Sequence, residues 1–510
     1  MALPKVCGIE TEYGITVRGA ENNPVSASSL LINAYLADTA RERGRVGWDF
    51  EDERPANDAR GFSHEEAMAP EVETTLVNAV LTNGARFYVD HAHPEISIPE
   101  VRTAREALVW DRAADEIVRR AMIAARSVLD VGAEIVIHKN NSDGKGNSYG
   151  CHENYLLARE LPFGRIARQI TSHFVTRQVF TGAGKVGCEL PGRPHDDIAY
   201  QLSQRADFFE EEVGLETTLK RPIVNTRDEP HADPRKYRRL HVIVGDANMS
   251  EVATYLKVGT TAIVLSMIED DELGDDLVLA NPVPAIRQVS HDPTLSRTVQ
   301  LDDGTRATAL EVQWGLLERA RKYEQSHGLE SVDEVVGADV MDRWERVLTA
   351  LEADPDSAAP VVDWVAKKRL VDGYAERHGI DAASPMLKAI DLQYHDMRPE
   401  RCLALRAGLD VIADPAECDA ATTEPPTSTR AYFRGRCLDK FADDIVAANW
   451  DSMVFDVGRD PLRRVPMLEP LRGTADHVAT LIDSSETARE LLDRLGADHP
   501  TPDPNEPGAS

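Results

Sequence analysis

Four short stretches carry side chains able to do chemistry, at a spacing that β-strands would gather on one surface. In a strand, residues i and i+2 share a face about 7 Å apart. In Cys7-Gly-Ile-Glu-Thr-Glu-Tyr-Gly-Ile15 this joins Glu10 and Glu12, with Ile9, Thr11, Tyr13 and Ile15 on the reverse. In Ala85-Arg-Phe-Tyr-Val-Asp90 it aligns Arg86, Tyr88 and Asp90 against Phe87 and Val89, and His93-Pro-Glu95 adds a carboxylate just past the strand end. Tyr149-Gly-Cys-His-Glu-Asn-Tyr-Leu156 aligns His152 with Asn154, and Arg238-Arg-Leu-His-Val-Ile-Val-Gly-Asp246 aligns Arg239 with His241. Each strand has one apolar face and one face of acids, imidazoles or guanidinium groups, unlike the Lys/Glu/Thr mixture of a solvated sheet.

Glu10, Glu12, Glu95, His152 and His241 are hard oxygen and nitrogen donors suited to Mg2+ or Mn2+, and arginines among them suit phosphate. Divalent cations bridging the phosphates of a nucleoside triphosphate would neutralise carboxylates that could not otherwise all stay ionised. Gly182-Ala-Gly-Lys-Val-Gly187 matches G-x-G-x-x-G but lacks the strand–turn–helix context of a phosphate loop. His91 and His93 have no further nitrogen or sulfur ligands close by and read as supporting residues, not a zinc site.

The elements that must position these residues are strand-like runs through about the first half of the chain, followed by helices. Helical periodicity is clearest at 104–129, 162–180, 307–326, 331–352 and 360–378, where Trp364, Val371 and Tyr374 recur on one face. Residues Trp48–Glu73, rich in acids and turn formers, predict a long acidic loop within about 44–80. A Pro/Thr-rich break at Thr422–Thr429 divides a domain over 1–425 from a small C-terminal domain over 426–495, and the Pro-rich tail 496–510 has little to bury.

The chain has 510 residues, 57 Lys and Arg against 87 Asp and Glu, and a formal charge of −30, which disfavours nucleic acid and anionic membrane as partners. Six cysteines without C-x-x-C spacing read as buried free thiols. No signal-peptide pattern and no apolar run of about 18 residues are evident, which predicts a cytoplasmic protein.

Gly8-Ile-Glu-Thr-Glu-Tyr-Gly14, Asn83-Gly-Ala-Arg-Phe-Tyr-Val-Asp-His-Ala-His-Pro-Glu95, Asn147-Ser-Tyr-Gly-Cys-His-Glu-Asn-Tyr155, Asn225-Thr-Arg-Asp-Glu-Pro-His-Ala-Asp233 and Tyr237-Arg-Arg-Leu-His-Val-Ile-Val-Gly-Asp-Ala-Asn248 resemble the Pup ligase/depupylase family of actinobacteria, from Val6 to about Asp483. The resemblance implies an α+β, glutamine-synthetase-like fold: a curved antiparallel sheet packed with helices, cradling ATP and Mg2+, plus a small C-terminal domain. One branch attaches the small acidic protein Pup to lysines; the other deamidates Pup's C-terminal glutamine and removes Pup from tagged proteins. The long connection from Glu10 to Arg86 and the run Asp90-His-Ala-His-Pro-Glu95 are similar to the second branch.

The resemblance also assigns roles. Glu10, Tyr88 and Glu95 match metal-binding positions, with His152 and His241 as ligands of the wider fold, and Asp90 matches the catalytic aspartate, as nucleophile or as the base that activates water. Arg86 and Trp450 match nucleotide contacts, and Ile98 departs from a threonine of the ligases. Arg205, Arg227 and Arg239 are candidates to stabilise an oxyanion. Arg119/Arg120, Lys220/Arg221 and Arg235/Lys236/Arg238 are candidate basic clusters for Pup and pupylated proteins. An ATP-consuming Pup–protein ligase and a non-catalytic nucleotide-dependent Pup-binding protein are the competing expectations.

Overall fold

The computed structural model describes residues 1–39, 46–51, 53–61, 77–381 and 383–498. Much of the expected acidic loop and the end of the expected tail therefore lie outside the described residues. Ten strands form one sheet: β1 (Cys7–Glu12), β2 (Gly47–Trp48), β3 (Asn78–Val80), β4 (Arg86–Asp90), β5 (His93–Ser97), β6 (Cys151–Ala158), β7 (Tyr237–Val242), β8 (Ile445–Ala448), β9 (Ser452–Phe455) and β10 (Arg463–Pro466). Their order is β7-β6-β1-β5-β4-β3-β2-β8-β9-β10. All neighbours are antiparallel except β2 and β8, where Gly47 and Trp48 lie parallel to Ala447 and Ala448. A chain order that sends β1 between β5 and β6 is what brings distant motifs side by side.

The alternation of apolar and polar residues decides which face is covered. Ile9, Phe87, Ile96, Tyr155, Leu157 and Leu240 are buried on the apolar side, and helices α1 (Pro24–Thr39) and α2 (Ala104–Ala125) pack against it. Thr103 and Glu106 close a capping box at the start of α2, satisfying otherwise unpaired amides there. The polar side is left to line a cleft.

Behind the sheet lie α3 (Phe163–Thr176), α4 (Glu251–Glu269), α5 (Ala309–His327), α6 (Glu334–Ala353) and α7 (Asp363–His378). All the helical stretches read from periodicity appear, each end within four residues of the expected one. The exception to legibility is α4, which is buried on nearly every side and so has no amphipathic stripe. It is also the one described helix long and apolar enough to cross a membrane, yet it is wholly enclosed by protein.

The run 7–15 is not one strand. It breaks at Tyr13, whose hydroxyl donates to buried Asp115 at 3.0 Å, and 14–18 pairs instead with 134–138. Gly14 permits the break, because a Cβ there would fall 2.4 Å from the Tyr149 hydroxyl. Gly182–Gly187 leads into a short strand at 185–186 and opens no helix, and all six cysteines are free.

From Ala431 onward, α8 (Ala431–Lys440) and β8–β10 build a second core around Phe433, Cys437, Met453 and Phe455, which also takes in Val46, Trp48 and Val80. The larger core is joined to it by Glu100, which accepts from Arg430 Nε at 2.7 Å and pairs with the fully buried Arg434. Burial alone would raise the Glu100 carboxyl, but the two guanidinium groups outweigh it and hold it at about 2. A lowered folded value stabilises above the ordinary glutamate range and is lost as pH falls toward about 2. Glu100→Gln should therefore cost about 3 kcal/mol at neutral pH, by leaving buried arginines unpaired. It should also flatten the acid limb of stability measured by urea unfolding between pH 4.5 and 2.

Candidate functional site

On the open face, β1 sets Glu10 opposite His152 of β6 and Ser97 of β5, and Glu12 opposite Glu95. Tyr88 of β4 faces Glu95, and His241 of β7 faces Asn154. Two donor clusters result, each with its ligand atoms within 4.8 Å of one another: Glu10, His152 and His241, and Glu12, Asp90 and Glu95. The strand residues singled out from the sequence thus converge.

The first cluster is held by neutral and cationic neighbours. Asn154 Nδ2 donates to Glu10 Oε1 at 2.6 Å, and Arg239 Nη1 donates to Asn154 Oδ1 at 2.7 Å. His152 Nδ1 lies 3.5 Å from Glu10 Oε2, and the His152 and His241 rings meet edge to face at 5.0 Å. Burial opposes ionisation of Glu10, but His152, His241 and Arg239 hold its carboxyl well below the usual range. Burial keeps His241 neutral, as a metal ligand must be.

In the second cluster Gly150 donates its amide to Glu12 Oε1 at 2.7 Å. Glycine is required at 150, since a Cβ would meet the His152 ring at 2.1 Å. His93 supports from behind, 3.5 Å from Glu12 Oε2 and against the Tyr149 ring at 4.3 Å. Against burial, His93 and His152 bring Glu12 down to about 2. Glu95 goes the other way: burial first, then the charges of Asp90, Glu12 and Glu10, push it well above the usual range. Carboxylates this crowded, with hard oxygen and nitrogen donors around them, fit divalent cations at both clusters. Asp90 is the accessible acid, its side chain 39% exposed, with Oδ2 2.9 Å from His91 Nδ1.

Arg86 is sandwiched between Tyr88 at 4.0 Å and Trp48 at 4.1 Å, and it donates to Asn78 Oδ1 at 2.9 Å. Trp48 meets Trp450 edge to face at 5.2 Å, and Arg434 lies 5.1 Å from the Trp450 ring. This ladder of rings and guanidinium groups ends on a cleft. Ile98, Leu156, Pro230, Trp450 and Pro470 wall it, with Glu10, Arg239 and His231 at its polar side.

Among the described residues, Nε of the half-buried Arg227 and both Nε and Nη1 of the buried Arg205 have no hydrogen-bond partner. Burial, then Arg221 nearby, lowers Arg205 to about 10, the mark of a cation without enough anionic partners. Several supporting residues were not anticipated: Glu229, which accepts from Arg239 through its backbone oxygen at 2.6 Å; His231; Glu53, which accepts from Trp48 Nε1 at 2.6 Å; and Arg434. Glu229 and His231 do fall inside the Asn225–Asp233 motif, the one signal that could have found them. The expected basic clusters are largely spent within the chain: Arg120 pairs with Glu116 and Asp419, Arg235 with Asp233 and Lys236 with Glu469, and Arg221 donates to backbone oxygens of Thr217 and Ser148.

The model of the family described as Pup-ligase protein matches residues 5–454. The chain belongs to this family. Within the Pup-ligase family, a depupylase of Acidothermus cellulolyticus is 53% identical over 96% of this chain and 99% of its own. A Pup deamidase/depupylase of Mycobacterium tuberculosis is 45% identical over 97% of this chain and 100% of its own. Among solved structures, the ligase PafA in complex with Pup matches with a TM-score of 0.78 at 31% identity over 99% of both chains. PafA in complex with ADP matches with a TM-score of 0.71 at 36% identity, over 80% of this chain and 89% of that one. The fold is the family's, in keeping with the expected α+β, glutamine-synthetase-like cradle.

Crowding at the second cluster makes a direct prediction. Glu95→Gln fixes at constant shape the neutral form that crowding favours, so in metal-free buffer the Tm of the variant by calorimetry should move above the parent's as pH rises and the parent's Glu95 is forced to ionise. An unchanged or lower Tm would show that the carboxylates do not repel.

Proposed function

We propose that this chain is a Pup deamidase/depupylase, hydrolysing the side-chain amide of Pup's C-terminal glutamine and the isopeptide bond that joins Pup to lysines of tagged proteins. The observation that carries this reading is the near full-length identity of 53% to a depupylase, against 31% and 36% to the PafA structures. The activity rests on nucleotide binding, supported by the ADP complex of PafA and by the apolar-walled cleft beside Glu10. ATP with Mg2+ is the natural occupant: the apolar wall of Trp450 and Leu156 would take the base and sugar, and Arg239 with the acids would take the phosphates and their cation.

Amide cleavage needs a group that attacks or activates water, a proton for the departing nitrogen and stabilisation of the developing oxyanion. Asp90 supplies the first, either adding to the amide carbon itself or taking a proton from water; its exposure beside buried Glu95 puts it where a substrate can reach. Glu10, His152 and His241 would hold one cation and Glu12 and Glu95 another, with Tyr88 facing Glu95. When bound, such cations neutralise the acids and polarise an oxygen placed on them. Arg205, Arg227 and Arg239 would stabilise the developing negative charge, and Nε of Arg227 with Nε and Nη1 of Arg205 have no partner among the described residues. Arg86, stacked between Tyr88 and Trp48, holds the nucleotide side in register, and Trp450 closes the cleft from the C-terminal region.

Glutamine-ended Pup incubated with the protein, Mg2+ and a non-hydrolysable ATP analogue should gain, by mass spectrometry, the mass difference of replacing NH2 by OH. Asp90→Asn should abolish that gain, at least about a hundredfold in rate, while a fluorescent nucleotide still binds. With ATP in place of the analogue, stoichiometric release of ADP as glutamate-ended Pup is joined to a lysine would mark a ligase instead. Omitting Mg2+, or replacing both Glu10 and Glu95 by Gln, should remove activity, and Mn2+ should raise the Tm of the parent but not of the double variant.

A further inference from the structure

The connection between β1 and β4 returns to the site along its described stretch 53–61. There it pairs with the segment that carries Arg227. Ala59 donates its amide to Thr226 O at 2.8 Å, and Asp228 donates its amide to Asn57 O at 2.9 Å, forming a bridge between Asp58 and Arg227. Arg54 donates its amide to Glu229 Oε1 at 2.5 Å. The side chain of Asp58 is fully enclosed and accepts from the Thr226 hydroxyl at 2.9 Å and from Arg60 Nη2 at 2.7 Å.

From this segment the contacts run on into the site. Glu229 takes Arg239 Nε on its backbone oxygen and lies 3.7 Å from Arg239 Nη2, Arg239 bonds Asn154, and Asn154 bonds Glu10. Arg227 stands at the head of this chain with its Nε buried and without a hydrogen-bond partner in the described residues. A guanidinium in that condition is poised for an anion that arrives from outside, and its aim is set by whatever fixes its backbone.

We infer that Asp58 is a positioning residue for hydrolysis: by gripping the Thr226 hydroxyl at the bridge, it fixes the backbone of Arg227 and so aims that guanidinium at the anion formed or bound in the cleft. The inference rests on the reading of Arg227 as an anion-binding residue of the Pup hydrolase. Displacing a positioned group by about 1 Å can cost a hundredfold in rate, and a loosened bridge sits below that limit.

The full chain carrying Thr226→Val, which removes the hydroxyl while keeping shape and the Asp58 charge, should lose about tenfold in kcat for Pup deamidation with KM for Pup unchanged. Asp58→Ala should lose at least as much, and Asp58→Asn, which keeps an acceptor, should recover most of it. Added to Arg227→Gln, neither Thr226→Val nor Asp58→Ala should lower kcat further, whereas a purely structural role would lower Tm and multiply with Arg227→Gln. If Thr226→Val turns over like the parent, or if its effect multiplies fully with that of Arg227→Gln, the positioning role is overturned while Arg227 keeps its place. If Arg227→Gln itself turns over like the parent, the reading of Arg227 fails, and the inference with it.

Discussion

The arrangement depends on carboxylates forced together on one face of a sheet. Glu10 and Glu12 share a strand face, Glu95 stands opposite Glu12, and Asp90 completes the second cluster within 4.8 Å. Their titration is driven apart accordingly: Glu12 is held near 2 while Glu95 is pushed far up. Such opposed shifts in adjacent acids mark sites that do chemistry or hold cations more often than sites that merely fold. A fold selected for stability alone would not place these acids against one another.

The rest of the molecule reads as the means of holding that repulsion in place. The apolar face of the sheet is sealed by α1 and α2, so the strands cannot slip without moving every core residue to the wrong side. Behind β6, Glu153 and Arg177 form a fully buried bidentate pair at 2.6 and 2.9 Å, and Lys139 pairs with Asp111 and Asp115 inside the same core. On the open side, Arg86, Trp48, Trp450 and Arg434 connect the catalytic sheet to the C-terminal core. Because β2 pairs with β8, the small C-terminal unit extends the sheet instead of standing beside it.

Much of this was legible in the sequence because strand alternation is strictly local. The polar sets Glu10/Glu12, Arg86/Tyr88/Asp90, His152/Asn154 and Arg239/His241 needed only the period of a strand, and the structure keeps each on one face. Strand order was not legible, since placing β1 between β5 and β6 depends on contacts across more than eighty residues. Helix α4 escaped because complete burial erases periodicity, and the break at Tyr13 because a buried hydroxyl outweighed continuity of the pattern. Glu229 and Glu53 escaped for another reason: each sits in irregular chain, where spacing says nothing about direction. Within the expected basic clusters, Arg120, Arg235 and Lys236 have acidic neighbours of their own, as a chain of charge −30 readily supplies.

The central claim is that the two clusters form one cation-loaded cradle with Asp90 at its accessible edge. Anomalous scattering from crystals grown with Mn2+ and a non-hydrolysable ATP analogue tests it most directly. The account requires metal density at Glu10, His152 and His241, further density at Glu12 and Glu95 beside Asp90, and phosphates reaching toward them from the Trp450 cleft. Density confined to other surfaces, or a nucleotide seated away from these side chains, would contradict it.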